Sequence, residues 1–230
     1  MRKILIGILL MITLSGCYST TYFVDSTHKF DGGYSNPKTN DATINAVSYS
    51  DEYITIIPKS IDPKIELKLF NNHTSSIRIL WDESAYIDIS GNAHRVIHTG
   101  VKFTDKEKAQ VASIVPAGAK IEDVAVPVEC IEYINGAWEI IPFEYNKFYN
   151  LSDAEDRVCA YKNDPSLSGC TLLLPIMVED KKIEYTLRFN GDKFSISSKE
   201  ELDAEATAQA YIVTLLGSLI LPFVIAGLAI

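Results

Sequence analysis

Basic charge is what this chain has too little of. Its 230 residues carry 21 Lys and Arg against 30 Asp and Glu, a formal net charge of −9. A nucleic-acid backbone is held by clustered Lys and Arg, and no basic stripe with interleaved aromatics runs along the sequence. Nucleic acid is therefore excluded as a partner, and so is adhesion to anionic lipid by charge alone. A glycine-rich phosphate loop is missing, as is a Gly-x-Ser-x-Gly nucleophile elbow, and Ser166 and Ser168 stand without an obvious base. No cofactor motif is present. Cysteine is scarce, four residues in all, with no zinc-type pair. Long apolar runs are confined to the two ends, residues 4–14 and 211–230.

The first run follows Arg2 and Lys3 and closes on Leu14-Ser15-Gly16-Cys17. A positive start, an apolar stretch too short to span a bilayer and small closing residues make residues 1–16 a signal peptide. The four closing residues resemble the lipobox of bacterial lipoprotein precursors. That resemblance implies that Cys17 is lipidated on sulfur and becomes the mature N-terminus. Two or three acyl chains, of the diacylglycerol and palmitate kind, anchor a protein stably where one does not. Loss of Arg2 and Lys3 with the leader takes the formal charge from −9 to −11. The expected location is the bacterial cell envelope, membrane-anchored, with the domain outside the cytoplasm. Tyr18 rather than Asp after the cysteine resembles outer-membrane sorting.

Residues 17–45 are rich in Ser, Thr, Asn, Asp and Gly, with turn signals at Asp31-Gly32-Gly33 and Asn36-Pro37. They read as a tether, or alternatively as a first strand carried by Tyr18, Tyr22, Phe23 and Tyr34. Over residues 46–197 alternation of period two takes over. Ile65, Leu67 and Leu69 oppose Lys64, Glu66 and Lys68, and Ile183, Tyr185, Leu187 and Phe189 oppose Glu184, Thr186 and Arg188. The first of these is expected to form a hairpin with residues 77–81. The last is expected to turn at Asn190-Gly191 and return over residues 193–197. Many short strands without helices between them point to an antiparallel immunoglobulin-like β-sandwich, with a partly closed barrel as the alternative.

His94 and His98, four apart, invite a metal reading. Flanking Gly91 and Gly100 and β-branched Val96 and Ile97 indicate a strand, where four residues span roughly 13 Å. Two imidazoles on one zinc each lie within ~2.0–2.1 Å of it. One straight strand does not deliver that, so no metal is assigned. Asp82, Glu83 and Asp88 could supply the paired carboxylates of a hydrolase, although acidic residues at strand ends commonly make turns. The Trp81-Asp82 and His94-Arg95-Val96-Ile97-His98 pattern is similar to that of bacterial envelope lipoproteins to which no activity is attached.

Export into an oxidising space gives Cys130, Cys159 and Cys170 something to explain. Cys159 and Cys170 bracket a turn-rich loop and are expected to form a disulfide worth about 3 kcal/mol. Cys130 reads as a buried small hydrophobe. Residues 198–230 are expected to form a C-terminal apolar helix, with Ser198 as N-cap and Glu201 completing a capping box. From about residue 211 it carries no charge and is long enough to span a membrane, kinked at Pro222. Such a span resembles an inner-membrane anchor, so the two ends of the chain point to different membranes.

The expected function is that of a membrane-anchored envelope lipoprotein acting as a structural, assembly or adaptor subunit, and not as an enzyme. Its partners would be membrane lipid, through Cys17 and residues 211–230, and a partner protein or a second copy. The alternative is a ligand-binding or hydrolytic lipoprotein using His94, His98, Asp82 and Glu83.

Overall fold

Alternating burial begins within the first described strand, at Val24. The computed structural model describes residues 18–202, and β1 (Tyr18–Asn36) buries Val24, Ser26, His28 and Phe30 in period two. The segment 17–45 is thus in large part a strand rather than a tether. In chain order there follow β2 (Thr43–Ile44), β3 (Tyr49–Ser50), β4 (Ile54–Ile61), β5 (Lys64–Asn71), β6 (Ile77–Ile79), β7 (Ala85–Ile87) and β8 (Ala93–Ile97). After these come β9 (Ser113–Val115), β10 (Lys120–Pro127), β11 (Ile131–Ile134), β12 (Ala137–Ile140), β13 (Lys147–Phe148), helix α1 (Leu151–Asn163), β14 (Cys170–Val178) and β15 (Lys181–Leu202).

Eight of these strands close on themselves in the order β1-β15-β14-β7-β8-β10-β5-β4, and β4 pairs back to β1 through Thr27↔Ile61 and His28↔Ser60. The fold is a closed antiparallel β-barrel, which corrects the expected immunoglobulin-like sandwich. Period-two alternation sets which face of a strand is buried and is the same in both architectures. What separates them is that β1 pairs with β15 and also with β4, besides the short β13, so the ring of eight strands closes.

By contact density the chain divides in two. Residues 23–197 form one unit, and the described residues 18–22 and 198–202 belong to a second. In the first unit the barrel interior is filled by side chains. Ile54, Ile56, Ile65, Leu172, Leu174, Ile176, Ile183, Tyr185 and Leu187 are all fully buried. Eight strands enclose an interior just wide enough for such packing. The outer face of β4, β5 and β10 carries the ion pairs Lys64–Glu66 (2.7 Å), Lys59–Glu66 (3.6 Å) and Lys68–Glu122 (3.6 Å). Exposed pairs of this kind add little stability. They do show that this face meets water, since a barrel in lipid is apolar outside.

Four local expectations are corrected. β5 pairs with β4 and β10, whereas β6 pairs with β14 and β9, so residues 64–69 and 77–81 form no hairpin. Asn190-Gly191 does not turn: β15 runs straight through it, and Gly191 has no positive φ. A Cβ at Gly191 would overlap Ser168 Oγ and stand 2.5 Å from Phe194 Cζ, so glycine serves a close approach there. A helix does occur, α1, capped by Asn150, whose side chain accepts from the Asp153 backbone N–H. Finally, residues 198–202 are strand rather than a helix start, because β15 continues beside β1, and pairing overrides local propensity. Cys17 and the lipobox, and the apolar stretch 211–230, lie outside the described residues. Among the described residues no helix is long and apolar enough to cross a membrane.

Candidate functional site

β7 and β8 are joined by a loop built on Asp88. Its Oδ1 accepts from the N–H groups of Ser90 (2.8 Å) and Asn92 (2.9 Å), and its Oδ2 accepts from Asn92 Nδ2 (3.2 Å). His94 Nε2 is 3.1 Å from the same Oδ2, while Nδ1 is 3.4 Å from Glu129 Oε2. Burial works to raise the Asp88 pKa, but the donors from His94, Asn92 and Ser90 together hold it below the usual carboxylate range. The His94 ring packs 4.8 Å from Phe143. This is a strand-end turn with its carboxylate satisfied.

His98 is held elsewhere. Its ring stacks flat on the buried Trp81, 4.7 Å between centroids at 4°. Its Nδ1 lies 3.3 Å from Asp123 Oδ2, within ion-pair range though outside hydrogen-bond geometry. Asp82 pairs with Arg95 (2.8 Å) and accepts from the Gln110 N–H (2.9 Å). Arg95 also donates to the carbonyls of Glu107 and Lys108, which pins the loop after β8. Glu83 pairs with Lys182 at 2.5 Å. His94, His98, Asp82 and Glu83 therefore each serve a different local contact, and the structure does not bring the four together. Among the described residues no three His, Cys, Asp or Glu side chains form a metal-holding group.

The sequence reading missed a polar cluster at the β4–β5 turn. Asp62 Oδ1 accepts from Tyr86 O–H (3.2 Å) and Oδ2 from Asn146 Nδ2 (3.2 Å), and Asn146 Oδ1 accepts from Tyr161 O–H (2.7 Å). His28, 8% exposed, lies beside it. Its Nε2 is 2.6 Å from the Ser168 carbonyl and its Nδ1 is 3.0 Å from Ser60 Oγ. A carbonyl only accepts, so Nε2 carries the proton and Nδ1 accepts from Ser60. Burial lowers the His28 pKa and raises that of Asp62, each partly opposed by the other's charge. Ser60, His28 and Asp62 have the residue types of a hydrolytic triad but not its geometry. Nε2 is committed to a carbonyl and Ser60 is only 2% exposed, so no substrate reaches it. Asp62-Pro63 between two alternating runs was a signal for the turn; nothing in the sequence around His28 marked it.

Cys159 and Cys170 are free thiols, which corrects the expected disulfide. Cys159 is exposed on α1, whereas Cys170 starts β14 facing the core, where its Sγ is 4.0 Å from Ser60 Oγ. Burial pushes the Cys170 thiol up to about 12 and raises Cys130, also buried, above its ordinary value. Both are protonated and poor nucleophiles.

Another feature with exposed apolar side chains is the hairpin of β11 and β12, a two-stranded sheet of its own. Asn135 (φ 52°) and Gly136 (φ 87°) form its turn, as an Asn-Gly pair between strands should. Ile131 is buried against Ile97, Val126 and Val128, while on the same face Tyr133 and Trp138 sit opposite each other and stay exposed, at 62% and 38%. Glu132 and Glu139 are paired on the other face.

No protein-family model, curated protein or solved structure matches this chain.

Proposed function

We propose that this chain is a membrane-anchored envelope lipoprotein, held through Cys17 and the apolar stretch 211–230, whose barrel acts as a structural or adaptor subunit through protein contacts. Location rests on the resemblance of Leu14-Ser15-Gly16-Cys17 to a lipobox. The observation that carries the adaptor role is the packed barrel interior together with the local commitment of each candidate polar residue. Core positions hold side chains, and His94, His98, Asp82 and Glu83 hold loops. What the barrel offers to its surroundings is outer surface, including aromatic rings on a projecting hairpin.

The test is separation of inner and outer membranes for the intact chain, for Cys17→Ser, and for a chain stopped after Ala206, followed by mild detergent extraction. Membrane association lost in Cys17→Ser, with partners or a second copy eluting with the intact protein, supports the reading. A Cys17→Ser chain that stays on the membrane with residues 207–230 removed defeats the anchor. A lone monomer after extraction defeats the adaptor role.

A further inference from the structure

We infer that the apolar stretch 211–230 crosses the same bilayer that holds the acyl chains on Cys17, entering it from the same face, so that the two anchors grip one membrane and do not bridge two. Anchoring at both ends is taken from the reading above. That one membrane serves both comes from β1 and β15, the strands next to the anchors.

Their relative direction follows from going round the ring. The pairings β1–β4, β4–β5, β5–β10, β10–β8, β8–β7, β7–β14 and β14–β15 are all antiparallel, seven reversals in succession. β15 therefore runs opposite to its other neighbour, β1. Their register follows from Gly33, where a Cβ would stand 2.8 Å from the Thr186 carbonyl oxygen and 3.1 Å from Leu187 Cδ2. Antiparallel strands advance in opposite senses, so fifteen residues back from Gly33 to Tyr18 match fifteen forward from Thr186 and Leu187 to residues 201–202. The first residue of β1 and the last of β15 thus stand at the same end of the strand pair. Residues 18–22 and 198–202 accordingly fall within one compact unit.

Reach does the rest. Cys17 directly precedes Tyr18, and eight residues, 203–210, separate Leu202 from Tyr211. With that connection fully extended and one strand spacing added, Tyr211 lies no more than ~40 Å from Cys17. A globule the size of residues 23–197 is itself ~40 Å across, so two membranes that close would leave the folded domain no space between them. The bilayer within reach is the one that takes the acyl chains. Side-chain chemistry agrees. Tyr18 is 68% exposed and Tyr211 opens the uncharged stretch, and tyrosine favours the headgroup level. Between them Asp203 and Glu205 keep the connection in water, while the twenty residues 211–230 suffice for one crossing.

The experiment uses the lipidated full chain in vesicles of phosphatidylethanolamine and phosphatidylglycerol, with a membrane-impermeant maleimide. Cys159, the exposed thiol, reports the side on which the folded residues sit, and Ile230→Cys in a Cys159→Ser background reports the far end. Buried Cys130 and Cys170 should stay unlabelled in both proteins, which shows that each is folded. After flotation, the fraction of Ile230→Cys labelled in sealed vesicles should be the complement of the fraction of Cys159 labelled. Detergent should restore the missing labelling at each site, and light scattering should show dispersed vesicles. Equal labelled fractions at the two sites mean that the stretch does not cross. Vesicles clustered by the intact chain, but not by one stopped after Ala206, mean that it enters a second bilayer. Either result overturns the inference and leaves the anchor standing. A chain that fails to float defeats the anchoring reading itself, and the inference falls with it.

Discussion

Replacing Gly191 by Ala distinguishes a strand that runs through Asn190-Gly191 from a hairpin that turns there. In the strand, glycine is required because its missing Cβ would overlap Ser168 Oγ and lie 2.5 Å from Phe194 Cζ and 2.8 Å from Cε1. Adding one carbon to such a site forces rotamer changes that cost about 1–3 kcal/mol. In a turn the cost would instead come from a positive φ and would not depend on those two neighbours. Urea unfolding of Gly191→Ala, Ser168→Ala, Phe194→Leu and their combinations measures the difference. Ser168→Ala alone loses the hydrogen bond to the Pro165 carbonyl (3.2 Å), about 0.5–1.5 kcal/mol. With Ser168 and Phe194 truncated, Gly191→Ala should recover at least ~1 kcal/mol of its cost. A penalty that persists unchanged in that background would refute the continuous strand.

Stability should fall as pH drops below the ordinary His28 value of 6.5, because burial depresses the folded-state pKa and the unfolded chain takes the proton first. Asp62, whose pKa is raised, contributes with the opposite sign as it is protonated on folding, so the decline should flatten at lower pH; melting curves of His28→Gln should lack the slope near pH 6. Of Cys130, Cys159 and Cys170, only Cys159 should react with a thiol reagent in the native state, and reaction at all three without denaturant would contradict the burial pattern. Gly136→Ala, at φ +87°, should destabilise the hairpin by about 1 kcal/mol or more and raise amide exchange at Tyr133 and Trp138 without altering the barrel's exchange.

The faces of single strands were legible because burial on one side imposes period two: Ile65, Leu67 and Leu69 point inward as the alternation implied, and so do Ile183, Tyr185, Leu187 and Phe189. Closure was not legible. It depends on β1 meeting both β15 and β4, and no local pattern encodes which strands meet. The two Asn-Gly pairs make the same point. Asn135-Gly136 turns because its flanking residues pair with each other, whereas Asn190-Gly191 is held extended by packing against residues more than twenty positions earlier. The candidate site was read from residue types, but His94 and His98 found separate partners, and the cluster at Asp62 draws on His28, Tyr86, Asn146 and Tyr161, too dispersed to appear as a motif.

Closure also sets a timetable. β1 is the first described element and β15 the last, yet they lie side by side, so the ring cannot be completed until nearly all of the chain is available. Until then β1 has its β15 edge bare and β14 lacks its longest neighbour, the kind of unpaired strand that recruits other chains. A polypeptide delivered from its N-terminus would therefore carry an open edge through most of its emergence. Contacts this distant in sequence also make folding slow. A product cut short before residue 181 should aggregate rather than form a smaller barrel.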